Sequence, residues 1–164
     1  MRNQLALEAA KKVFADIDRV TEAGLSQKGE RCTRNFSIAN TVFEMEFQTE
    51  RLRDYFTWQM KLFVTEADSC ARISIWTDTI AGDLAYRLDE GEEPGRMEFQ
   101  IDGKTVKVYM LGKGPRLSGY IFAWCAETRE GWVMIDPDYL EVFIEVSFML
   151  TPLFSRFAAD IGMT

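Results

Sequence analysis

Met97-Glu98-Phe99-Gln100-Ile101-Asp102-Gly103-Lys104-Thr105-Val106-Lys107-Val108-Tyr109-Met110 is the stretch on which the fold turns. Asp-Gly suits both central positions of a two-residue type I′ turn, where φ is positive and most side chains clash. Strands Met97–Asp102 and Lys104–Met110 are therefore predicted to pair as an antiparallel hairpin. Further strands are read at Ala71–Trp76, Leu84–Leu88, Ser118–Cys125 and Trp132–Ile135. Tyr120–Cys125 and Trp132–Ile135 lack polar alternation, which predicts central strands buried on both faces. Glu127–Gly131 reads as the turn between them, and Asp89–Gly95 and Gly112–Pro115 as loops.

Working toward the N-terminus, Val42–Gln48 alternates: Phe43, Met45 and Phe47 point one way and Glu44, Glu46 and Gln48 the other. With Phe36 and Ile38 and a turn at Ala39-Asn40-Thr41, this is a second hairpin. Residues 4–23 carry Leu5, Ala9, Val13, Ile17 and Val20 at helical spacing with Phe14 alongside, and Gly24 reads as the stop. Thr49 is a cap for an inserted helix over 50–64, with Leu52, Phe56, Met60 and Phe63 on one face. Toward the C-terminus, Asp136-Pro137 opens a helix whose stripe is Tyr139, Val142, Phe143, Val146 and Leu150. Thr151-Pro152 repeats the cap-plus-proline start, and Phe154, Phe157 and Ile161 continue an apolar face. Strands and helices do not alternate regularly. The expectation is one α+β domain over residues 1–164: an N-terminal helix, a largely antiparallel sheet with an inserted helix, and a C-terminal helix pair.

Composition narrows the function classes. The 164 residues carry a net charge of −7, which disfavours phosphate backbones and anionic membrane surfaces. No signal peptide or membrane-spanning run is read, so a cytoplasmic location is expected. Cys32, Cys70 and Cys125 form no CxxC pair and predict neither a disulfide framework nor a zinc site. The chain has no histidine, which removes the commonest general base and metal ligand.

Five clusters could carry chemistry. Gly112-Lys113-Gly114-Pro115 lacks the spacing of a phosphate loop, and Pro115 removes an amide donor, so it reads as a strand connection. Asp136, Asp138, Glu141 and Glu145 gather at one helix start, where capping and favourable first-turn charge explain them better than a hard cation does. Glu44 and Glu46 read as an exposed strand face, and Asp89–Glu93 as a solvated acidic loop. Tyr120, Phe122, Trp124 and Trp132 are more readily core than pocket. Phe43, Met45, Phe47, Ile73 and Ile75 join Phe122, Trp124 and Trp132 in the expected core. No catalytic residue, metal ligand or cofactor-binding residue is expected.

Phe36-Ser37-Ile38-Ala39-Asn40 through Phe47, followed by Glu50-Arg51-Leu52-Arg53-Asp54-Tyr55-Phe56, resembles the start of HPr serine kinase-related proteins. Gly131-Trp132-Val133-Met134-Ile135-Asp136-Pro137 through Thr151-Pro152-Leu153-Phe154, then Phe157-Ala158-Ala159-Asp160-Ile161-Gly162-Met163, is similar to the segment ahead of the P-loop kinase core in that group. The resemblance covers about a third of the chain as a pattern of residue types. It implies an accessory region preceding a nucleotide-binding domain. The chain carries no Walker A sequence, so no catalytic residue is carried over. The resulting expectation is a non-catalytic accessory or interaction domain. Its partner would be a protein, a further C-terminal domain or a second copy, with no nucleic acid and no membrane. The alternatives are an acidic dimeric chaperone-like or adaptor protein and a small-molecule-binding domain built on the aromatic strands. Leu140, Ile144, Phe148, Phe154 and Phe157 form a second apolar stripe, expected to meet a subunit, another domain or the N-terminal helix through Val13 and Ile17.

Overall fold

The computed structural model describes residues 2–79, 95–113, 117–140 and 151–162. Seven strands, β1 (Cys32–Ile38), β2 (Thr41–Phe47), β3 (Ala71–Thr77), β4 (Gly95–Ile101), β5 (Lys104–Lys113), β6 (Leu117–Cys125) and β7 (Glu130–Ile135), form one sheet in the order β1-β2-β3-β7-β6-β5-β4. Helices α1 (Arg2–Ala15) and α2 (Ile17–Ser26) precede β1, α3 (Glu50–Gln59) joins β2 to β3, and α4 (Thr151–Gly162) lies near the C-terminus.

The Asp102-Gly103 turn forms as read, with φ of 51° and 77° and Ile101 opposite Lys104. The other hairpin uses the same device. Ala39 and Asn40 sit at φ 51° and 64°, so Thr41 is already the first residue of β2, opposite Ile38. The sheet is mixed, with antiparallel pairings in the majority. Pairs β1–β2, β4–β5, β5–β6 and β6–β7 are antiparallel, but β2–β3 and β3–β7 are parallel. The inserted helix is the cause of the first parallel pair, since a crossover is needed to bring a following strand alongside in the same direction.

Strand alternation sorts the core into two layers. Phe43, Met45 and Phe47, Ile73 and Ile75, Phe122 and Trp124, and Val133 and Ile135 meet Leu52, Phe56 and Met60 of α3 and Phe154, Phe157 and Ala158 of α4. On the other face, Trp76, Phe99, Val106, Val108, Ile121, Ala123, Trp132 and Met134 meet Ala10 and Phe14 of α1 and Leu25 of α2. All eight residues expected in the core are there, and Tyr120–Cys125 and Trp132–Ile135 are buried throughout.

Local boundaries depart from the sequence reading for identifiable reasons. The N-terminal helix breaks at Asp16 (φ −109°, ψ 26°), which lets both segments lie on the sheet. Phe14 then packs 5.6 Å from Phe99 and 5.9 Å from Trp132. Gly24 does not stop the helix. It is buried inside α2, where a Cβ would lie 2.2 Å from Trp76 Cδ1, so the position admits only a hydrogen. The inserted helix ends at Gln59 and tightens into a 3-10 turn at Lys61–Phe63. Val64 then bridges to Phe36, and the Thr65 N–H donates to the Asn35 carbonyl at 3.1 Å, covering part of the β1 edge. Gly112 and Lys113 belong to β5, and Glu130 and Gly131 to β7. Asp136 does cap, accepting from the Asp138 N–H at 2.9 Å, but it opens a 3-10 turn, Pro137–Tyr139. Strand Leu84–Leu88, the Asp89–Glu93 loop and the helix over 142–150 fall outside the described residues.

Candidate functional site

Two charged rows cross the sheet on the α2 side. Register places Asn35, Glu44, Arg72 and Glu130 in one row, and Thr33, Glu46, Ser74 and Trp132 in the next. Arg31 links helix to sheet: it donates to both carboxylate oxygens of Glu22 at 2.8 Å and to Glu46. Arg72 pairs with Glu44 at 3.3 Å. Hydrogen bonds from Arg31, and then from Ser26, hold Glu22 below the usual carboxylate range. Bonding to Glu46 and Glu22 raises the guanidinium of Arg31 in turn. A cavity of about 210 Å³ lies among these groups. A general acid or base needs a proton that leaves near neutral pH, and these contacts work the other way, fixing Glu22 and Arg31 in their charged forms. Glu44 and Glu46 therefore act in separate ion pairs, not as a carboxylate pair.

A second cleft lies at the carboxyl ends of the parallel strands β2, β3 and β7, the place where open sheets commonly take ligands. Its floor is Gln48, which is fully buried. The Gln48 side chain donates to the Gly24 carbonyl at 2.8 Å and to Gln27 at 3.1 Å, and accepts from the Thr77 hydroxyl at 2.8 Å. Thr49 caps α3 by accepting from the Leu52 N–H at 3.2 Å. Cavities of about 360 and 450 Å³ adjoin here and share Lys28 and Thr77. The polar groups at the floor are already satisfied by one another, so they tie α2 to the sheet.

The third feature is the outward face of α3. Leu52 and Phe56 turn inward, and Tyr55 packs edge-on against Phe56 at 6.0 Å. Trp58 and Leu62 turn out, 69% and 88% exposed, the two large hydrophobic residues left in solvent among the described residues. Trp58 is the penultimate residue of α3, and Leu62 lies in the 3-10 turn beyond Met60. Asp54 lies one turn before Trp58 and is held by Arg53 at 2.9 Å.

Of the proposed second stripe, three residues lie among those described. Phe154 and Phe157 are fully buried inside the chain. Phe157 stacks on Trp124 at 4.5 Å and on Phe122 at 4.7 Å, and Phe154 meets Phe122 edge-on at 5.1 Å. They face the sheet surface opposite α1, so Val13 and Ile17 are not their partners. Leu140 is half-buried against the same core, and Ile144 and Phe148 lie outside the described residues. Tyr120, Phe122 and Trp124 pack with the rings of α4, while Trp132 lies on the opposite face. Of the acidic quartet, Asp136 is buried as a cap, Asp138 is exposed, and Glu141 and Glu145 lie outside the described residues. No group of three potential ligands suited to a metal occurs among the described residues. Trp58 and Leu62 were legible as the two large apolar residues off the Leu52–Phe56–Met60 face. Gln48 was not, since alternation assigned it to the solvent side. No described helix is long and apolar enough to cross a membrane. No protein family, curated protein or solved structure matches the chain.

Proposed function

We propose that this chain is a non-catalytic accessory domain that works through protein contact, similar in role to the region ahead of the kinase core in HPr serine kinase-related proteins. The observation that carries the reading is the exposure of Trp58 on α3 and of Leu62 in the 3-10 turn after it. Large side chains of this type dominate contact energies and are costly to leave in water without a partner. The rest of the chemistry supports the same reading. The charged rows are closed into ion pairs, and the Gln48 cluster is closed into hydrogen bonds. A role as an acidic adaptor of a different protein uses the same surface and differs only in the identity of the partner.

The reading frame beyond Thr164 and the activity of the purified chain test this together. A strand followed by GxxxxGK[ST] downstream supports placement ahead of a kinase core; an unrelated continuation or a stop removes that placement and leaves the adaptor role. Nucleotide turnover by the purified 164-residue chain, abolished by a substitution within it, would overturn the non-catalytic reading.

A small-molecule site is the second reading, and the cleft at the ends of β2, β3 and β7 is what favours it. Its lining of Lys28, Arg51, Thr49 and Thr77, with Glu30 as the one acidic group of that cavity, suits a polar solute carrying an anionic group. Saturable calorimetric binding of such a solute, lost in Lys28→Ala, would support this reading over the first.

A further inference from the structure

We propose that the space between the α1–α2 break and the sheet is a binding site for a small organic cation, a protonated amine on an apolar body, held by Asp18 and Glu130. A cavity of about 330 Å³ lies where α1 breaks into α2, walled by Phe14, Ile17, Ile101, Val106 and Trp132. It adjoins the cavity of about 210 Å³ beside Arg31, and Asp18, Glu130 and Trp132 line both. A concave apolar space with a few convergent polar groups is the usual form of a small-molecule site. The pair of cavities shares no lining residue with the cleft floored by Gln48. It is also independent of the contact surface at Trp58.

The sign of the ligand follows from which charges are left over. At the larger cavity, Asp16 and Arg19 pair at 3.4 Å, and Asp102 and Lys104 offset each other across the β4–β5 turn. At the smaller one, Arg31 is taken by Glu22 and Glu46, and Arg72 by Glu44. Asp18 and Glu130 remain, and among the described residues neither has an ion pair. Both stand on the wall that the two cavities share. Thr21, three residues beyond Asp18 on α2, has its hydroxyl oxygen buried without a hydrogen-bond partner, and it lines the smaller cavity. Such an orphan calls for a specific explanation. An ammonium group has three donors and no acceptor, and two carboxylates with a hydroxyl supply what it needs. Indole is the aromatic surface that attracts cations best, and Trp132 provides one beside the carboxylates. The net charge of −7 draws cations toward the chain.

Calorimetric titration of the chain with phenethylammonium tests the proposal, with 3-phenylpropionate and ethylammonium as comparisons. Phenethylammonium is expected to bind saturably, one per chain. The carboxylate of similar shape should not bind, and ethylammonium, with the charge but little apolar body, should bind about tenfold more weakly or less. Asp18→Asn with Glu130→Gln keeps the shape of both side chains and should weaken phenethylammonium by about tenfold in Kd, with an unchanged circular dichroism spectrum. Amide shifts in a nitrogen–proton correlation spectrum should cluster at Phe14–Arg19, Ile101–Lys104 and the Trp132 indole. No saturable binding, equal binding of the carboxylate or of ethylammonium, an unaffected double variant, or shifts centred on Lys28 and Thr77 would each overturn the proposal. None of these outcomes bears on the contact role of Trp58 and Leu62, which lie outside both cavities.

Discussion

Single residues hold this fold at points where one atom decides. Gly24 passes over the Trp76 indole with space for hydrogen alone. Gly24→Ala is expected to cost about 1–3 kcal/mol through overpacking, read from the urea midpoint, and an unchanged midpoint would show that α2 shifts freely. Gln48 joins the Gly24 carbonyl to the Thr77 hydroxyl in a site without solvent. Gln48→Ala leaves both partners buried and unmatched, and should cost about 1–3 kcal/mol in the same measurement. Glu22 supplies the pH dependence. Its folded-state pKa lies below the usual carboxylate range, so its pairing with Arg31 stabilises the fold above that range and is lost as pH falls through the lower folded value. Glu22→Gln should flatten the acid limb of the thermal midpoint. An unchanged acid limb would show that the pair contributes nothing in solution.

At the scale of elements, α4 carries the largest consequence. Its Phe157 ring lies nearly parallel to Trp124 and Phe122, 12° and 16° from their planes. Phe157→Ala is expected to cost about 3–5 kcal/mol, and Phe157→Glu to unfold the chain instead of releasing a subunit. A soluble, folded Phe157→Glu protein would return this residue to the surface. How much of this was legible follows the range of the signal. Turn chemistry at Asp102-Gly103 and alternation in Val42–Phe47 are local, and both hairpins and their inward faces could be read directly. Helix ends were harder, because tertiary contact set them: Gly24 looks like a stop until Trp76 is placed beneath it. The burial of Phe154 and Phe157 within the chain was hidden for a related reason. An apolar helix declares that it will be covered, but not whether the cover is another chain or the far side of its own sheet.

For the whole molecule, what the sequence withheld is the order of strands. β7 returns to the middle of the sheet beside β3, and nothing local to Trp132–Ile135 records that neighbour. The consequence is a sheet covered by helices on both faces, with Trp58 of α3 and Leu62 of the turn after it as the large exposed hydrophobics among the described residues. The measurement that tests this most directly is acrylamide quenching of tryptophan emission at low and high chain concentration. Trp76, Trp124 and Trp132 are buried, so the quenchable emission should come from Trp58 and disappear in Trp58→Phe. The expected result is quenching of the wild type at both concentrations that is lost in Trp58→Phe. Quenching that persists in Trp58→Phe would contradict the closed core.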